Sequence, residues 1–159
     1  MRKNVKKRKS ALFFLKLAIL PTAIYFSAAM PVLTGAGLIY NRVSYGNGLF
    51  TAGVLFIAAA AAMSAGAVLC LFRKNAADII SIILTSSGFV MCMAMLHKLT
   101  EHADKSGWTD KFDMTPVSGM YERRILPCIL PVMLIILTDI VQLLTNEQSG
   151  KSRNETEAL

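Results

Sequence analysis

The sequence predicts an all-α integral membrane protein, a bundle of four transmembrane helices with both termini in the cytoplasm. Three observations point there. Of 159 residues, 54% are hydrophobic and only 17% charged, whereas a soluble domain carries about 25% charge. The mean hydropathy is +0.50. The apolar residues gather into four blocks, 11–40, 49–72, 76–96 and 125–144, that almost lack charge; each reaches the roughly 20 residues needed to cross a hydrocarbon core of about 30 Å. The net charge of +7 is concentrated at one end, with Arg2, Lys3, Lys6, Lys7, Arg8 and Lys9 all in the head. This composition excludes a disordered chain, a collagen and a nucleic-acid arm.

The first block is longer than a span requires and is punctuated by Pro21, Pro31, Gly35 and Gly37. Its helix is expected over about 11–34, ending or kinking near Pro31. Read as a cleavable leader, the block fails on Lys16, which interrupts the apolar stretch, and on Pro31, which stands just past the Ser27-Ala28-Ala29 site. The other spans are expected at 49–72, 76–96 and 125–144. An outer loop covers 97–124, and a polar, disordered cytoplasmic tail covers 146–159. No strand alternation is visible, so a membrane barrel is not expected.

Basic residues set the orientation. The head holds six cations and the first loop, 41–48, only Arg42. Loops one and three therefore face outward, with Tyr40, Tyr45, Trp108 and Tyr121 forming an outer aromatic belt. The third loop holds Lys98, Lys105, Lys111, Arg123 and Arg124 beside five acids, which opposes this arrangement weakly. The expected location is the cell membrane, as a multi-pass protein. The basic head is drawn to anionic lipid by about 1 kcal/mol per cation near the surface, and no nucleic-acid partner is expected.

Membrane helices associate through close backbone approach and interhelical hydrogen bonds. Ala58, Ala62 and Gly66 recur every four residues in the second span and suggest a flat packing face. In the third span Asp78, Ser81, Thr85, Gly88 and Cys92 share one face at spacings of three and four, a polar seam suited to a helix contact or to a hydrophilic path. In the fourth, Cys128, Ile135, Asp139, Gln142 and Asn146 fall on one side. Asp139 stands six residues before Thr145, about 9 Å from the inner helix end at 1.5 Å per residue. A carboxylate in a membrane interior costs about 3 kcal/mol on insertion scales, so it is expected to face the bundle. It would be held there by Ser81, Thr85 or Gln142. Lys16 lies at nearly the same depth, and two fates are open to it: snorkelling into the headgroups or pairing with Asp139. Asp78, in the first turn of its helix, is read as a dipole partner needing no functional explanation. Equal outer depth sets Cys92 against Cys128 as a conceivable disulfide, and eleven residues inward from each it sets Ser81 against Asp139.

Catalytic signatures are missing. There is no CxxC, HExxH, GxSxG or phosphate-binding Gly loop. His97, Glu101 and His102 are grouped, but the simpler account is a third helix running on to about Lys105 with ordinary surface pairs before Gly107 ends it. No metal and no cofactor is expected. The leading expectation is a non-enzymatic protein acting by helix association, an accessory or assembly subunit whose partner is another membrane protein or a second copy. The alternatives are a small transporter or channel using Asp139 as an intramembrane carboxylate, and a membrane enzyme built on His97 and His102.

Overall fold

The structure, a computed structural model, describes residues 2–72, 74–108 and 129–147, and every regular element among them is a helix. They are α1 (Arg2–Tyr40), α2 (Arg42–Leu69), α3 (Asn75–Lys105) and α4 (Ile129–Glu147). Gly46–Leu69, Asn75–Lys105 and Ile129–Glu147 are each long and apolar enough to cross a membrane; α1 contributes the shorter apolar stretches Ser10–Tyr25 and Pro31–Tyr40. These helices mark the chain as a membrane protein.

The distribution of side chains is that of a protein solvated by lipid. Phe14, Leu33, Val90, Leu130 and Leu137 point outward, while Lys16, Asp78, Ser81, Thr85 and Asp139 are buried. In water this pattern would expose apolar area and bury charge, both unfavourable. In a bilayer the sign of the first cost is reversed.

α1 passes through both Pro21 and Pro31 and continues to Tyr40, beyond the expected end near Pro31. Prolines are tolerated in membrane helices because neighbouring helices and local adjustment satisfy the freed backbone groups. Past Pro31 the helix is held against α2 at a crossing where two glycines face each other. A Cβ on Gly35 would lie 2.6 Å from the Gly53 carbonyl oxygen, and one on Gly53 would lie 2.8 Å from the Gly35 carbonyl oxygen. Asn41 turns the chain, and Gly46, at φ 79°, breaks the first turn of α2 from the rest.

α2 and α3 meet as closely. Gly88 abuts the Ala59 carbonyl, and Gly66 faces Ser81 and Thr85. The packing face of α2 is therefore Ala52, Phe56, Ala59, Met63, Gly66, Ala67 and Cys70. This corrects the face expected from Ala58, Ala62 and Gly66: Ala58 is exposed, Ala62 half-buried and Gly66 buried. At about 100° per residue a four-residue step drifts by about 40°, so that row winds from lipid into the core.

Among the described residues, two apolar clusters fill the interior. Leu38, Leu49, Ala52, Phe56, Met95, Leu96 and Leu99 occupy one end, and Ala23, Ala67, Cys70 and Ile135 the other. At its C-terminus α3 closes in a Schellman turn. Trp108 N donates to Ala103 O at 2.9 Å and Gly107 N to Asp104 O at 3.2 Å, with Gly107 at φ 64°. Trp108 then packs on the first cluster. The seam of α3 reads as expected for burial: Asp78, Ser81, Thr85 and Gly88 are buried and Cys92 is half-buried.

Candidate functional site

Three helices, α1, α3 and α4, deliver polar side chains to the second cluster's end of the molecule, and α2 contributes the Gly66 and Cys70 carbonyls. α3 and α4 run antiparallel and touch through three polar rungs. Asn146 Nδ2 donates to Asn75 Oδ1 at 2.7 Å, Gln142 Nε2 to Asp78 Oδ2 at 2.7 Å and Oδ1 at 2.9 Å, and Ser81 Oγ lies 2.6 Å from Asp139 Oδ2. The steps are three and three residues along α3, four and three along α4, which keeps each set on one helical face.

α1 inserts the cation. Lys16 Nζ donates to Asp139 Oδ1 at 2.6 Å, to the Cys70 carbonyl at 2.9 Å and to Asp78 Oδ1 at 3.3 Å. Its three ammonium hydrogens thus have three acceptors, one from each of the other helices or their ends. Relative exposure is 2% for Lys16 and 0% for both aspartates, so the ammonium does not snorkel. Burial of this kind is tolerated only where charges are paired and hydrogen-bonded.

Of the residues singled out from sequence, Lys16, Ser81, Asp139 and Gln142 converge here, all buried. Gln142 holds Asp78 rather than Asp139. Thr85 is outside the cluster: its hydroxyl faces Gly66, and Thr85 Oγ1 has no hydrogen-bond partner among the described residues. The unanticipated member is Asp78, which accepts from both Lys16 and Gln142. The signal was in the register: if Ser81 faces Asp139 in an antiparallel pair, Asp78 one turn back must meet Gln142 one turn on.

Cys128 lies outside the described residues, and with it the disulfide suggested to Cys92; so do Tyr121 of the aromatic belt, the rest of loop three beyond Trp108, and the tail beyond Glu147. At the end of α3, Glu101 pairs with Lys105 at 2.6 Å and His102 stacks edge-on against Trp108 at 5.2 Å. His97 is exposed. Among the described residues no three His, Cys, Asp or Glu gather as a metal site.

No protein-family model matches the chain, and comparison with curated proteins and with solved structures yields no match. The fold and the cluster define a helical membrane protein with a buried charge network; any functional reading rests on the chain's own geometry.

Proposed function

We propose that this chain is a non-enzymatic, four-span protein of the cell membrane that acts by helix association, as an accessory or assembly subunit of a membrane complex. Both termini lie in the cytoplasm, and the basic head rests on anionic lipid. The supporting observation is the division of labour on α2. Its inner face is consumed by α1 and α3, while Ala58, Ala61 and Ala65 remain exposed as a flat strip bordered by Val54, Ile57 and Val68. A small-residue strip allows a second helix to approach closely, the main source of association energy in lipid. The cluster around Lys16 then serves as the internal lock that fixes helix register.

Purification in mild detergent followed by mass spectrometry tests this reading. A partner that co-migrates reproducibly, and is lost in Ala58→Leu or Ala61→Leu without a change in thermal unfolding, supports it. A chain that migrates alone, or a partner retained by both variants, counts against it. The orientation has its own test. In a chain without its natural cysteines, a Cys at Ser118 should react with an impermeant reagent in intact cells and a Cys at Ser152 should not.

One observation favours a second reading, a small transporter or channel using Asp139: two carboxylates share one ammonium, more acid than a structural ion pair requires. It demands that Asp139→Asn abolish proton- or cation-coupled flux in reconstituted vesicles while the protein still folds. A discrete homo-oligomer would favour this reading over the first.

A further inference from the structure

Ser81, at the centre of the buried cluster, supplies one hydrogen fewer than its contacts use. Lys16 spends three on Cys70 O, Asp78 Oδ1 and Asp139 Oδ1. Gln142 directs its amide at both Asp78 oxygens and, at 3.4 Å, at the Phe72 carbonyl. Ser81 owns a single hydrogen, yet its oxygen lies 2.8 Å from Gly66 O and 2.6 Å from Asp139 Oδ2. Both distances are hydrogen-bond lengths, and with Asp139 ionised both neighbours are acceptors, so one contact would bring lone pairs together. The charge count gives the same deficit. Among the described residues, one ammonium against two carboxylates leaves one uncompensated negative charge in a buried cluster, a costly arrangement.

A single particle removes both deficits. We propose that the cluster is a proton-binding site: one proton resides on Asp139 Oδ2 and is donated to Ser81 Oγ, whose own hydrogen goes to the Gly66 carbonyl. Oδ1 of Asp139 still accepts from Lys16. Asp78 keeps the negative charge, because it lies in the first turn of α3, where the helix dipole favours an anion, and takes its hydrogens from Gln142. Asp139 lies mid-helix in α4 and has no such support. Among the described residues the titratable groups around it are Lys16 from α1, the Cys70 thiol at the end of α2 and Asp78 from α3, and α4 adds the uncharged Gln142. Loaded, the cluster is neutral. Unloaded, it carries one net negative charge, and Ser81 can satisfy only one of its two neighbours. The inference rests on cluster geometry common to both functional readings, so a failed association or flux experiment leaves it standing.

Infrared spectroscopy of the full chain in lipid at neutral pH tests it, through the carbonyl stretch of a protonated carboxylic acid. The native protein should show one such band, sensitive to exchange into deuterated water. Charge balance predicts its loss in Asp139→Asn and also in Asp78→Asn, where the remaining aspartate alone neutralises Lys16. It predicts a doubled band in Lys16→Met. Ser81→Ala should retain the band and shift it to higher frequency, since the acid loses its acceptor. A native protein without the band, or an Asp139→Asn protein that keeps it, overturns the proton site. A band unmoved in Ser81→Ala overturns its placement on Asp139. The native spectrum decides the first point even if every variant fails to fold.

Discussion

The Lys16 ammonium and the Asp139 carboxyl, 123 positions apart in sequence, meet at 2.6 Å inside the protein. Both groups are buried, so Lys16 depends on Asp139 and Asp78, and Asp139 on Lys16 and Ser81. Removing one partner of a buried pair typically costs about 3–5 kcal/mol, because the other is stranded. Lys16→Met should therefore lower thermal stability in detergent by an amount of that order. The double variant with Asp139→Asn should be the more stable of the two, because it leaves one carboxyl group rather than two without a cation. Equal melting temperatures for native and Lys16→Met proteins would show that the pair contributes nothing.

Gly35 and Gly53 pack backbone to backbone, each blocking the other's Cβ with a carbonyl oxygen. Carbonyls within two helices cannot step aside as a side chain can. Alanine at either position should force α1 from α2 and cost about 1–3 kcal/mol. Gly37, two residues along α1, has nothing within 4 Å of its would-be Cβ. Gly37→Ala should thus be neutral or gain up to about 1 kcal/mol from helix propensity. Thermal unfolding of the three variants side by side checks the contrast, and a Gly35→Ala protein as stable as Gly37→Ala would contradict the crossing.

Much of this arrangement is legible from sequence, and what is not has physical causes. Helical faces follow from spacing alone, so Ser81 and Asp139 can be set at one level before any coordinates exist. Asp78 is harder. A carboxylate in a first turn is ordinarily wet, and its burial depends on where Lys16 arrives from α1, a tertiary fact. The α2 face is misjudged for a related reason: in a run from Ala58 to Ala62 every position is small, and only the partner helices decide which side is used. Pro31 marks a missing hydrogen bond, but whether the helix stops there depends on what packs beyond it, here Gly53.

The end of α3 offers a local test. Gly107 adopts a left-handed conformation that closes the Schellman turn and lays Trp108 on the apolar cluster of Leu38, Phe56 and Leu99. A side chain at φ 64° costs about 1–2 kcal/mol, less for Asn than for Ala. Gly107→Ala should accordingly move the fluorescence of this single tryptophan to longer wavelength as the turn loosens, and Gly107→Asn should move it less. Identical spectra for the three proteins would mean that the turn does not hold Trp108.

Ser81 and Thr85 stand one turn apart on the same buried face of α3, yet their hydroxyls do different work. Ser81 Oγ bridges the Gly66 carbonyl and Asp139, joining three helices through one atom. Thr85 Oγ1 lies against Gly66 without a hydrogen-bond partner among the described residues. A hydroxyl whose loss leaves a buried polar partner unsatisfied costs about 1–3 kcal/mol to remove, whereas one that bonds nothing can be replaced by an apolar group at little cost. Ser81→Ala should therefore be clearly destabilising. Thr85→Val, which exchanges the hydroxyl for a methyl of similar shape, should stay within about 1 kcal/mol of the native protein despite equal burial. Thermal unfolding of both variants in the same detergent separates hydrogen bonding from packing. If Thr85→Val proves as damaging as Ser81→Ala, the seam is held by steric fit at both positions and the Ser81 bridge has no special weight.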